Sequence, residues 1–168
     1  MKYAAPVRKE LGLRTVFNLL GPLTNPAFAS HQLLGLYDPR LLKMITEVLK
    51  NLKVKHAMVV CGSDGLDEVT VCGSTEVCEL KNKKIRCYKI SPADFGIKKA
   101  KVSELAGADI KTNVRIALEV FQGGGDARRD IVLLNSGCAI YAADKVKSIK
   151  EGIELARESI DSGRALGK

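Results

Sequence analysis

With 168 residues, 46% of them hydrophobic and 27% charged, the chain is long enough for one domain with a real core, since a domain near this size buries roughly two-thirds of its unfolded surface. That balance excludes a disordered polypeptide, and apolar runs such as residues 131–134 fall far short of the ~20 residues of a spanning helix, so no membrane partner is expected. The net charge of +8 resides largely in Lys50-Lys53-Lys55, Lys81-Lys83-Lys84 and Lys98-Lys99-Lys101; with aromatics at 5% and no Trp, stacking on nucleic acid is disfavoured. A solvated basic face, or a field that steers an anionic small substrate, is left.

The opening MKYAAPVRKE has no apolar h-region, and the reading is a cytoplasmic protein. Pro6 suits the first turn of a short helix that Gly12 ends, and Thr15 to Leu20 reads as a second apolar turn or helix closed by Gly21-Pro22. Residues 32–37 read as a strand. Asp38-Pro39 then offers an N-cap and an N1 proline, and Leu41, Leu42, Ile45, Val48 and Leu49 recur at helical spacing. The run from His56 to Cys61 is short and continuously apolar, as in a strand buried on both faces. Strand, helix, strand with short connections is a βαβ unit. Residues 74–90 alternate around Lys81-Asn82-Lys83, the pattern of an antiparallel edge hairpin.

The last third reads as helical. Ser91-Pro92 opens a loop and a short helix; Asp109 to Gln122 carries Val114, Ala117, Leu118 and Phe121 on one face and stops at Gly123-Gly124-Gly125. Asp126 to Ala143 is apolar enough for a buried helix, and Val146, Ile149, Ile153, Ala156 and Ile160 define an amphipathic one. The fold class is therefore α/β: a mostly parallel central sheet flanked by helices, with an antiparallel hairpin at one edge. Cys61, Cys72, Cys78, Cys87 and Cys138 are odd in number and lack metal-ligand spacing, so reduced core thiols are expected rather than bridges.

Asp67 and Glu68 are the chemical feature that the residues themselves bring forward. They follow a glycine-punctuated loop at the carboxyl end of a central strand, where open α/β sheets bind ligands. Adjacent carboxylates there can share one Mg²⁺ with water and substrate phosphate, though acidic pairs in loops are commonly just solvated. Gly123-Gly124-Gly125 lacks the strand before it and the Lys-Ser/Thr after it that a phosphate loop needs. His31 and His56 have no nearby nucleophile in sequence, and His56 reads as structural. A guanidinium at Arg8 suits bidentate recognition of a carboxylate if the chain doubles back to Gly21-Pro22; a surface helix arginine is the alternative.

The segment Arg8-Lys9-x-Leu11-Gly12-x-Arg14-Thr15-x-Phe17-Asn18-x-Leu20-Gly21-Pro22-Leu23-x-Asn25-Pro26 resembles the signature of the anthranilate phosphoribosyltransferases. The similarity continues through Gly65-Leu66-Asp67-Glu68, Asp94-Phe95-Gly96 and Arg129-Asp130-x-Val132-Leu133-Leu134-Asn135, and covers essentially the whole chain. The resemblance implies a truncated large domain of the nucleoside phosphorylase/phosphoribosyltransferase type. It implies that 1–29 is a hinge and helical segment of a small helical domain and that 30–168 is the C-terminal part of the α/β domain. It further implies a homodimeric, Mg²⁺-dependent enzyme joining anthranilate to phosphoribosyl pyrophosphate with release of pyrophosphate. On that likeness Arg8 holds the anthranilate carboxylate, Gly21 and Pro22 line its path, and Asp67 and Glu68 hold the metal.

The chain also departs from the family. A Gly-Thr-Gly-Gly-Asp loop for the pyrophosphate occurs nowhere in the 168 residues, nor does the Lys-His-Gly-Asn stretch, and Cys61 stands where a histidine is common. The expectation is a C-terminal half whose N-terminal partner half is missing, inactive alone, with strand edges or apolar surface left uncovered. A non-catalytic binding or assembly domain, or a related phosphoribosyltransferase-fold protein with another substrate, are the alternatives.

Overall fold

The computed structural model describes residues 17–168; Arg8 and the helix expected between Pro6 and Gly12 lie outside the described residues. Four strands, β1 (His31–Gly35), β2 (His56–Gly62), β3 (Thr75–Lys81) and β4 (Lys84–Ile90), form one sheet in sequence order. β1 and β2 are parallel, while β2–β3 and β3–β4 are antiparallel. The α/β class and the hairpin are as expected, and the sheet is mixed, with a single parallel pair among the described strands. All seven residues of β2 are buried, as its unbroken apolar run requires.

Helices cover both faces because β2 is apolar on both. Met58 and Val60 point to a layer made by α5 (Asp126–Ala142) and α6 (Ile149–Asp161), through Leu133, Leu134, Cys138, Ile153 and Ile160. Ala57, Val59 and Cys61 point the other way, onto α2 (Leu42–Asn51) through Leu42, Ile45 and Leu49. Asp38 caps the turn that starts α2 by accepting from the Arg40 N–H at 2.9 Å, with Pro39 just inside, as its sequence indicated. α5 and α6 approach at backbone distance: a Cβ on Gly137 would stand 2.8 Å from the Ile153 nitrogen, so only glycine fits there.

Three expectations change. The helix expected to close at Gly21-Pro22 instead runs on as α1 (Phe17–Leu23) with Pro22 inside it, and Thr24 N–H donates to the Leu20 carbonyl at 2.9 Å. A proline this near a helix end forfeits one bond but leaves the last turn intact. The cysteines are not all thiols: Cys78 and Cys87 form a disulfide across the hairpin, with Cys61, Cys72 and Cys138 free. The β3–β4 register pairs 78 with 87 at a Cα separation of 4.1 Å, within reach of a bridge once the Asn82-Lys83 turn is fixed. Finally, α4 (Ile110–Phe121), preceded by the short α3 (Val102–Leu105), is helical as its period demands, yet Ile110, Val114 and Leu118 are 84%, 55% and 45% exposed. The stripe identified the helix but is turned outward.

Candidate active site

The Asp67–Glu68 loop leaves the carboxyl end of β2, and the sequence folds it tightly on itself. Gly65 takes φ +83°, a left-handed turn that glycine adopts without steric cost. Asp64 accepts from the Leu66 N–H at 3.2 Å and from the Thr70 hydroxyl in a short bond, while the Gly62 N–H donates to Leu66 O at 2.9 Å. Two further contacts tie the loop to the scaffold. Asn135 of α5 clamps the residue after Glu68: its carbonyl oxygen accepts from Val69 N–H at 2.9 Å and its amide donates to Val69 O at 2.8 Å. At the end of β1, Gly35 lies so close beneath Asp67 that any Cβ would overlap the Asp67 carbonyl.

Asp67 is exposed and Glu68 half-buried. Burial, then the negative charges of Asp67 and Asp64, pushes the Glu68 carboxyl above the usual carboxylate range. A cation at this spot would relieve that repulsion. Among the described residues no cluster of three or more His, Cys, Asp or Glu could hold a metal unaided. The pair suits Mg²⁺, which binds through one or two carboxylates and completes its shell with water and ligand phosphate. Beside Glu68 opens an apolar cavity of about 530 Å³, lined by Leu66, Leu105, Ile116, Val120, Phe121 and Ile131 among others. Two of the three free thiols are poor nucleophiles: burial pushes Cys138 up to about 12 and raises Cys61 as well.

The structure does not bring all sequence candidates together. Gly21 and Pro22 are exposed on α1, whose Leu19 and Leu23 pack toward the α2 side of the sheet. Among the described residues no hydrogen bond or ion pair links α1 to residues 66–68. A Cβ at Gly21 meets nothing within 4 Å. Gly21→Ala should therefore raise stability by about 0.5–1 kcal/mol through helix propensity, read by urea unfolding; a loss of stability would show that the position is packed.

The positioning residues Gly35, Asp64, Thr70 and Asn135 carried no chemical signal in the sequence. Asn135 did close the Arg129–Asn135 motif, and that position was its one clue. His31 and His56, by contrast, are not isolated. His56 Nδ1 lies 2.8 Å from Asp144 Oδ1 and its Nε2 3.0 Å from Glu79 Oε1; His31 Nε2 lies 3.2 Å from Asp144 Oδ2. The network sits at the opposite end of the sheet from Asp67 and is structural, as expected of His56.

A two-faced α/β layer with an acidic loop at the carboxyl end of its parallel pair places that loop where open α/β sheets bind their ligands. Residues 1–166 match the family described as "Glycosyl transferase family, a/b domain", and the chain belongs to it. The anthranilate phosphoribosyltransferase of Brevibacillus brevis is 52% identical over 168 residues, all of this chain and 49% of that protein. The crystal structure of the Thermus thermophilus enzyme of that name is 41% identical, covering 99% of this chain and 49% of its own, with a TM-score of 0.89. The Saccharomyces cerevisiae enzyme, solved in complex with PRPP and Mg, is 31% identical over 99% of this chain and 48% of its own, with a TM-score of 0.86. The chain spans about half the length of the curated relatives it matches.

Proposed function

We propose that this chain supplies the metal-binding side of an enzyme that transfers the phosphoribosyl group of phosphoribosyl pyrophosphate to anthranilate, releasing pyrophosphate, a step of tryptophan biosynthesis. The observation that carries the reading is the Asp67–Glu68 loop, clamped by Asn135 and seated on Gly35 at the carboxyl end of β2. The names of relatives near 50% identity support the choice of substrates. The S. cerevisiae structure with PRPP and Mg supports the choice of metal.

In this reading Asp67 and Glu68 hold Mg²⁺ jointly with the pyrophosphate. Bound there, the metal neutralises the charge that builds on the leaving group. Arg8 grips the anthranilate carboxylate through its planar fork, and Gly21-Pro22 lines the approach, so that the amine is aligned on the anomeric carbon. No covalent nucleophile is required. Residues 1–29 act as a hinge and helical segment and residues 30–168 as part of the α/β domain. Its homodimeric assembly and cytoplasmic setting belong to the same proposal; among the described residues no helix is long and apolar enough to cross a membrane.

The pyrophosphate loop that is absent from these 168 residues sets the test. The chain alone, given both substrates and Mg²⁺, should show no formation of phosphoribosyl anthranilate by fluorescence. Joined to the N-terminal half of the Brevibacillus brevis relative, it should turn over. Full activity of the chain alone, or inactivity of a folded fusion, would overturn the assignment.

A further inference from the structure

Two of the three lysine clusters, some thirty residues apart in sequence, converge in space. Lys50, Lys53 and Lys55, from the end of α2 and the loop after it, face Lys81 and Lys83 of the β3–β4 turn across a concavity of about 750 Å³. Asp144, after α5, also lines it. Asp144 is already engaged: its carboxylate meets His31, His56 and the Lys81 ammonium, the last at 3.3 Å. Lys50, Lys53, Lys55 and Lys83 make no ion pair among the described residues. The rim is therefore strongly cationic.

The backbone carries a second, independent sign. Among the described residues five non-glycine positions have positive φ, and four of them, Lys53 (φ 62°), Asn82 (φ 51°), Lys83 (φ 62°) and Asp144 (φ 55°), line this concavity. Lys53 sits where α2 ends: Val54 N–H reaches back to Leu49 O at 3.1 Å, the closure whose left-handed residue is usually glycine. Lys83 is the second residue of a two-residue hairpin turn, for which Asn-Gly is the favoured pair. Twice, then, a lysine stands where glycine would be the more stable choice, and both lysines border one cavity. Left-handed backbone held by non-glycine residues at a stability cost points to a use for the side chain.

We propose that this concavity is a binding site for a linear condensed phosphate. Lysines offer mobile point charges, suited to an anion with charge spread over several tetrahedral groups, where a single carboxylate would call for the arginine fork. No aromatic residue lines the cavity, so nothing stacks a nucleobase. The site lies at the amino end of β2, about 20 Å from the Asp67 loop, given seven residues at ~3.3 Å each. It is distinct from the proposed pyrophosphate end, and no divalent metal is needed for it.

Titration calorimetry of the chain with sodium tripolyphosphate, free of divalent cations, tests this. Saturable 1:1 binding is expected. Lys53→Gly with Lys83→Gly should weaken it at least tenfold while the melting temperature holds or rises. Lys98→Gln with Lys99→Gln, which removes equal charge from the third cluster, should weaken it less than twofold, and Asp67→Asn with Glu68→Gln should not weaken it at all. Should the glycine pair melt lower, Lys50→Gln with Lys55→Gln carries the same tenfold expectation. Absence of saturable binding, equal loss in the two lysine sets, orthophosphate binding as tightly as tripolyphosphate, or a single-stranded oligonucleotide outcompeting it at these lysines would each overturn the proposal.

Discussion

Gly35→Ala is expected to cost about 3 kcal/mol of stability and to displace the Asp67–Glu68 loop. The added methyl would overlap the Asp67 carbonyl, and the obstacle is backbone, which cannot rotate away as a side chain could. β1 cannot retreat, because Leu36 N–H bonds Val60 O at 2.8 Å and the strand is in register with β2 through residues 31–35. The loop cannot lift freely, because Asn135 clamps Val69 from the other side. The strain therefore falls on residues 64–68. Urea unfolding should show a lower midpoint at unchanged slope, and a crystal structure of the variant should show Asp67 shifted. A variant as stable as the parent would mean that the loop is not seated on β1.

His56→Ala should cost about 3 kcal/mol as well, by a different mechanism: it strips a buried carboxylate of one of its three hydrogen-bond partners. Glu79 is nearly buried and accepts from Tyr141 at 2.8 Å and Tyr88 at 3.0 Å besides facing His56. The His56 ring also meets Tyr141 edge-on at 5.0 Å, so packing is lost with it. Burial pushes the Glu79 carboxyl up, but hydrogen bonds from His56, Tyr141 and Tyr88 together outweigh it and hold the acid below its ordinary range. Asp144 is held low in the same way, burial opposing the bonds from His56 and Lys81. An acid depressed in the folded state stabilises above its unfolded pKa, near 4, and that contribution is lost as pH falls through the folded-state value. Stability should thus drop on acidification below about pH 4, and His56→Ala should flatten that drop. Denaturant midpoints measured between pH 3 and 7 decide it; an unaltered slope would detach His56 from the acid response.

The sequence made the layers legible where local pattern and burial agree. The seven buried residues of β2, the Asp38-Pro39 start of α2 and the period of α6 each express a backbone preference and a buried face at once. Pro22 misled because its cost depends on position within a helix, and α1 had only one turn left to lose. The hairpin at 74–90 was legible from its alternation, while the antiparallel pairing of β3 with β2, which leaves β1–β2 as the parallel pair among the described strands, carried no local signal. Cys78 and Cys87 are a register property: they lie equidistant from that turn, visible only once the hairpin is aligned. The place of Asp67 and Glu68, in a loop after the carboxyl end of β2, was legible in the sequence. Gly35 and Asn135 were not, since one acts by having no side chain and the other by a contact 66 residues away from Val69.

The most direct test concerns the carboxylate pair. In the fusion with the N-terminal half of the Brevibacillus brevis relative, Mg²⁺ should be titrated against the rate of phosphoribosyl anthranilate formation for the parent sequence and for Asp67→Asn with Glu68→Gln. The double variant should fold with the parent's melting temperature, lose at least about 100-fold in rate and need far more Mg²⁺ for half-maximal turnover. A folded double variant with the parent's rate and the parent's Mg²⁺ requirement would contradict the assignment of Asp67 and Glu68 as the metal-holding pair.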